Sequence, residues 1–181
     1  MKKRLLAVLL AVSCVCLCAC GSGDSNTGAG NNTGNTNTNT ENDSKDETSY
    51  VFTFDGKEIS VNEDITEVVA KLGEPVSYYE AASCAFEGLD KFYTYASFQV
   101  GTYPKDGKDV VAFIYFKDDL VETTEGISLY MTKADMEKAY GKATTVNENT
   151  YVYEKGNGSI TFILEGDEIV SIEYQTTVEY K

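Results

Sequence analysis

The chain contains one short pattern twice, ISVNEDITEVVAKLG at residues 59–73 and ISLYMTKADMEKAYG at residues 127–141. In each copy a helix N-cap residue is followed three positions later by an acidic residue, as in a capping box. A glycine then stands where helices commonly end in a left-handed residue. The matching residues are Asp64 and Thr132, Glu67 and Asp135, and Gly73 and Gly141. The repeat therefore predicts two capped helices, 68 residues apart.

A second pair of similar segments follows the helices and predicts strands. FIYFKDDLV at residues 113–121 matches FILEGDEIV at residues 162–170, at an offset of 49. Because this offset is smaller than 68, the first copy has 19 more residues between its helix and the matched segment than the second copy has. For these we expect a second short helix around residues 78–86 and a long loop at residues 101–109. Near the start, Asp55-Gly56 is typical of a two-residue hairpin turn.

These patterns predict an α+β fold. We expect two tandem repeats, about residues 57–124 and 125–176, each with a helix followed by a three-stranded antiparallel meander. The two meanders would form one sheet with the helices on one face.

The same units resemble a known family. Residues 127–141, Tyr151-Val152-Tyr153, Phe162 and residues 169–172 resemble the tandem module of β-lactamase-inhibitor-protein-like domains. They are also similar to the small outer-membrane lipoproteins of the barrel-assembly machinery. The resemblance covers about residues 57–176, and it implies a protein that binds other proteins and does not catalyse a reaction.

The N-terminus has the features of a targeting segment. Three cations at residues 2–4 precede an apolar run at residues 5–17 that is short for a membrane-spanning helix, which predicts a signal peptide. LCAC at residues 17–20 resembles a lipobox, which implies a lipid thioether on Cys20 and cleavage before it. A weaker box at Cys14, an ordinary signal peptide and an uncleaved anchor are the alternatives. Lipidation would attach the protein to the membrane, facing outside the cytoplasm, with the surface of a Gram-positive cell favoured.

The composition changes sharply after the N-terminal third. Residues 20–49 are rich in Asn, Thr, Gly and Ser and cannot bury enough apolar surface to fold, so we expect a disordered spacer after the signal peptide of residues 1–19. All 13 Tyr and all 8 Phe lie in residues 50–181, which we predict to be the folded domain. We expect the domain to be a monomer.

Charge and composition exclude several classes of function. The formal net charge of −14 disfavours nucleic acid as a partner, and the absence of His removes imidazole-based catalysis and the usual zinc ligands. We therefore expect no enzyme activity, no cofactor and no metal. Calcium at Asp106 and Asp109 or at Asp118 and Asp119 is a minor alternative. Cys84 is expected to be a small buried hydrophobic residue.

Alternating tyrosines suggest a binding surface. Tyr93, Tyr95, Tyr151 and Tyr153 recur at every second position, so each pair shares one side of its strand. If this side is open, it suits a protein partner, since tyrosine is favoured at interfaces. The alternative is that these rings only stabilise the sheet. The predicted function is binding of another envelope or secreted protein; the alternatives are an enzyme inhibitor and a carboxylate-dependent hydrolase.

Overall fold

The computed structural model describes residues 49–178, which form ten strands and two helices in a mostly antiparallel α+β fold. The predicted signal peptide, the lipidation site Cys20 and nearly all of the predicted spacer lie outside the described residues. The elements are β1 Val51–Phe54, β2 Lys57–Ser60, α1 Ile65–Leu72, β3 Ser77–Ala82, β4 Leu89–Thr94, β5 Phe98–Lys105, β6 Lys108–Phe116, α2 Lys133–Tyr140, β7 Thr145–Asn147, β8 Thr150–Lys155, β9 Gly158–Glu165 and β10 Glu168–Thr176.

Eight of these strands form one antiparallel sheet in the order β3-β4-β5-β6-β10-β9-β8-β7. β6 and β10 are the last strands of their respective meanders, and they meet at the centre of the sheet. β1 and β2 form a separate hairpin, whose turn residues Asp55 and Gly56 have φ of 50° and 71°. Positive φ at both central residues is the geometry of a type I′ turn, so the predicted hairpin is confirmed.

Both predicted helices are present between the predicted caps. In α2 the capping box is complete, because the Thr132 hydroxyl accepts from the Asp135 N–H and the Asp135 carboxylate accepts from the Thr132 N–H. In α1 the Asp64 side chain accepts instead from the Thr66 N–H, at 3.0 Å. Gly73 and Gly141 end the two helices with φ of 84° and 73°.

Three predictions about the segments between the helices are wrong. Residues 78–86 do not form a second helix, because β3 lies antiparallel to β4 in an unbroken register from Ser77 to Ala82. The predicted loop at residues 101–109 is a hairpin of β5 and β6, closed by Asp106 and Gly107 with φ of 52° and 76°. Each meander also has four strands where three were expected: β3 to β6 form the first, and β7 to β10 form the second.

The match at an offset of 49 residues also aligned the wrong strands. FIYFKDDLV begins in β6 and runs into a loop, whereas FILEGDEIV spans the turn between β9 and β10. In the sheet, β6 occupies the place equivalent to β10. Both segments contain a short acidic stretch that suits a turn, and the match was based on this local similarity.

One face of the sheet packs against both helices and the β1–β2 hairpin. Ile65 and Val68 of α1 and Met136 of α2 are buried in this core. Phe52 of the hairpin lies 5.0 Å from Phe98 and 5.9 Å from Tyr174 between ring centroids. Truncating a buried phenylalanine to alanine typically lowers stability by about 3–5 kcal/mol, so the hairpin is an essential part of the core.

The segment before each helix forms an equivalent backbone hydrogen bond to the sheet. Asn62 and Tyr130 have φ of 68° and 69°. The Asn62 N–H donates to the Val111 carbonyl at 2.7 Å, and the Tyr130 N–H donates to the Ile169 carbonyl at 2.8 Å. Each helix is thereby positioned against the last strand of the meander that follows it.

Candidate functional site

The four tyrosines predicted to form an open surface lie on the helix side of the sheet. Tyr95 and Tyr153 are only 6% and 3% exposed, and Tyr93 and Tyr151 are half-buried against the same core. The prediction of an open face is therefore wrong for Tyr95 and Tyr153, and the other two are not free of the core either. Their packing fits the alternative, in which these rings stabilise the fold.

A specific bond holds each buried tyrosine in place. The Tyr95 hydroxyl donates to the Gly73 carbonyl, and the Tyr153 hydroxyl donates to the Gly141 carbonyl, both at 3.2 Å. These carbonyls lie at helix C-termini, where backbone acceptors lack partners within the helix. Burial raises the pKa of both tyrosines, so they remain protonated donors.

The opposite side of the sheet carries an aromatic ladder formed by Tyr79 of β3, Phe92 of β4 and Phe113 of β6, in which Tyr79 is exposed and the two phenylalanines are half-buried. The Tyr79 and Phe92 rings are stacked with centroids 6.1 Å apart, and the Phe92 and Phe113 centroids are 6.2 Å apart. Phe113 covers Gly101, its register partner on β5. Tyr79 is 64% exposed, so the ladder begins at the edge of the sheet and faces solvent there.

The centre of this side holds Tyr115 and Glu173, which are register partners on β6 and β10. Tyr115 is 36% exposed, and the Glu173 carboxylate accepts a bond of 2.8 Å from the Gln175 side-chain amide. Burial raises the pKa of Glu173, since desolvation disfavours its charged form. An opposite charge placed beside this carboxylate would offset the penalty.

We define the open face as Tyr79, Phe92, Phe113, Tyr115 and Glu173. None of these five residues was predicted from the sequence, because alternation separates the two sides of a strand but does not say which side is open. Phe92 directly precedes Tyr93 in β4, so these two side chains lie on opposite sides of the sheet, and predicting Tyr93 as open excluded Phe92. The two sides are equally aromatic in β4, and only the packing of the helices distinguishes them.

A second apolar cluster lies beside the open face. Tyr103, Val110 and Ala112 are buried, and Phe86 and Phe113 pack against them. Phe86 belongs to the connection between β3 and β4. This connection therefore covers one end of the side that the described helices leave uncovered.

The same connection exposes Cys84, which was predicted to be buried. The prediction rested on the usual burial of a lone cysteine, whereas here β3 ends at Ala82 and Cys84 lies in the exposed connection that follows. The Ser83 hydroxyl accepts from the Ala85 N–H at 3.1 Å, as expected of a tight turn. Cys84 has no second thiol near it among the described residues.

Two of the four carboxylates considered as calcium ligands have other contacts. Asp109 pairs with the Lys91 ammonium at 2.8 Å, and Asp118 accepts from the Leu120 N–H at 3.0 Å. Among residues 49–178 no cluster of three or more His, Cys, Asp or Glu could hold a metal ion. Two carboxylates, Asp55 and Glu122, line one open cleft beside the β1–β2 turn. No helix within the described range has the length and apolar composition needed to cross a membrane.

No family model matches the sequence, and no curated protein matches it. Among solved structures, the chain is similar to a 1.5 Å crystal structure of an extracellular protein containing an SCP domain from Bacillus anthracis strain Ames. The identity is 16% and the TM-score is 0.40, over 64% of this chain and 44% of that one. The chain thus spans less than half the length of that protein.

Proposed function

We propose that this chain is an extracytoplasmic lipoprotein, attached to the membrane through Cys20, whose domain binds another envelope or secreted protein and catalyses no reaction. The lipobox and the spacer that follows it support the anchoring. The surface of a Gram-positive cell suits such a spacer, which would lift the domain away from the membrane. The resemblance to β-lactamase-inhibitor-protein-like domains supports binding as the activity.

The domain in this proposal consists of two tandem copies of one helix-and-strand module. The strand order supports this, because it reads as a four-strand meander from each edge towards the centre. Equivalent contacts support it further: a left-handed residue precedes each helix, at Asn62 and Tyr130, and a buried tyrosine binds the carbonyl that ends each helix. The four-strand meanders enlarge the predicted three-strand units.

The aromatic ladder is the observation that carries the proposed binding function. Aromatic side chains are enriched at protein interfaces, and here they lie in contact with one another on a side that the described helices do not cover. The net charge of −14 and the central Glu173 favour a partner with a basic surface. We infer that the open face contacts this partner.

A capture experiment tests the proposal. The bait is the chain from residue 20 onward with Cys20→Ser, crosslinked in an envelope extract. A variant with Tyr79→Ala and Tyr115→Ala should lose one dominant partner. The matched control is Tyr130→Ala, since Tyr130 is 58% exposed and lies outside the open face. Equal capture by the double variant, or no capture by the unaltered bait, would contradict the proposal.

A further inference from the structure

The outer edge of β3 is unpaired within residues 49–178, and it differs from the other end of the sheet. β3 is an edge strand of six residues, SYYEAA, whereas β7 at the opposite edge has only three. Proteins usually protect an edge with proline, lysine, a bulge or a short strand. β3 contains no proline or lysine, and its register with β4 is unbroken.

We propose that the free edge of β3 binds an extended segment of the partner, rich in lysine or arginine, as a ninth strand of the sheet. This inference rests on the proposed function, and it names the chemistry of the partner segment. Backbone hydrogen bonds along the edge supply affinity in this mode of recognition, and alternate side chains supply specificity.

The side chains of β3 suit such a strand on both sides of the sheet. Tyr79 is 64% exposed on the open face and continues into the aromatic ladder. Tyr78 is 48% exposed on the other side, where its ring centroid is 5.0 Å from that of Tyr93 and its hydroxyl bonds to Glu80. Tyrosine rings attract cations placed over their faces. An added strand would therefore meet a tyrosine on each side.

The local charge selects a basic segment. Residues 72–90 contain four acidic residues and no lysine or arginine; the acidic residues are Glu74, Glu80, Glu87 and Asp90. Lys91 follows this stretch and lies opposite Glu80 in the register, but its ammonium pairs with Asp109 at 2.8 Å. Cations from the partner would find the Glu80 carboxylate on the edge strand itself and Glu74 and Glu87 in the segments on either side of it.

The same charges disfavour a second copy of this chain as the ninth strand. Two antiparallel copies of β3 would bring their Glu80 carboxylates close together, and like charges across strands are destabilising. Each copy also carries a formal net charge of −14, which adds long-range repulsion. We therefore assign the edge to a basic partner segment.

Amide hydrogen exchange with a synthetic peptide tests this inference. The probe is a nine-residue peptide in which lysine alternates with valine, added to the chain from residue 20 onward with Cys20→Ser. At a peptide concentration of about ten times the dissociation constant, exchange within residues 77–82 should slow about tenfold. Exchange at residues 145–147 should not change, so β7 serves as the internal control.

Two further comparisons separate strand pairing from general attraction. A peptide with glutamate in place of lysine, and a lysine peptide with alternate backbone nitrogens methylated, should both give little protection. The variant Glu80→Lys should weaken binding at least about threefold, whereas Glu165→Lys, the same charge change on a distant strand, should alter it less than about twofold.

Equal protection by the methylated peptide, or protection away from β3, would overturn the inference. So would dimers of the chain alone with residues 77–82 already protected, because the second copy would then occupy the edge. If the open-face variants abolish partner capture but the lysine peptide leaves β3 unchanged, the edge inference fails and the proposed function stands. If the peptide protects β3 and no partner is captured, the edge does bind a basic strand, but the proposed function fails.

Discussion

Replacing Gly101 by alanine should disrupt the aromatic ladder. Gly101 lies in β5, directly opposite Phe113 in β6, and the Phe113 ring rests on its backbone. A Cβ atom at position 101 would lie 2.1 Å from Cε1 and 2.3 Å from Cζ of Phe113. Carbon atoms in contact are normally about 3.5–4.0 Å apart, so the ring would have to leave its position.

The expected loss of stability follows from what the ring must give up. The obstruction is the end of a half-buried side chain and not backbone, so the ring can move while β5 and β6 remain paired. Phe113 would then lose its contacts with Phe92 and with the cluster around Tyr103. Overpacking of this kind lowers stability by about 1–3 kcal/mol, and we expect about 2 kcal/mol.

Urea unfolding followed by circular dichroism measures this loss. With a slope of about 2 kcal/mol/M, the midpoint of Gly101→Ala should fall by about 1 M. The control is a double-mutant cycle with Phe113→Ala, in which Gly101→Ala should lower stability by less than about 0.5 kcal/mol, since no ring remains to be displaced. A full loss in that background would refute the steric account.

The structure also predicts whether each of three further substitutions raises or lowers stability. Tyr130→Asn should raise stability by about 0.5–1 kcal/mol, because asparagine tolerates the φ of 69° better than tyrosine; a lower thermal midpoint would contradict this. Thr132→Ala should lower stability by about 1 kcal/mol through loss of the α2 cap, and unchanged urea unfolding would contradict it. Glu173→Gln should stabilise the domain near pH 7. Because burial raises the pKa of Glu173, protonation of this carboxyl favours the folded state. Its contribution to the free energy of unfolding is complete below the pKa of the unfolded chain and is lost as pH rises through the pKa of the folded state. The free energy of unfolding of the variant should therefore depend less on pH above about 4.5.

Local signals explain which parts of the fold the sequence could predict. The N-cap residues, the glycines that end the helices and the Asp55-Gly56 turn depend on residues within a few positions of one another, and these predictions are confirmed. The predicted capping box forms in α2, whereas in α1 Asp64 bonds to the Thr66 N–H instead. β3 was missed because the segment after Val76 was interpreted as helical. What makes it a strand is its pairing with residues 89–94, which a local pattern does not contain.

The candidate site was harder to predict for a different reason. Alternation in β4 separates Phe92 from Tyr93, but it does not say which of them the helices cover. That choice depends on where α1, α2 and the β1–β2 hairpin pack, and both alternatives place aromatic rings on a strand. Glu173 gave no signal at all, because one acidic residue among 29 becomes distinctive only when burial raises its pKa.

The open face includes residues from both halves of the sheet. Tyr115 and Glu173 lie on β6 and β10, which join the two halves of the sheet through three register pairs. On the other side of this junction, Phe52 packs against Phe116 of the first half and Tyr174 of the second. Neither half alone could present both central residues of the open face. In the proposed two-module domain, the proposed binding surface therefore forms only when the modules join and belongs to neither one separately.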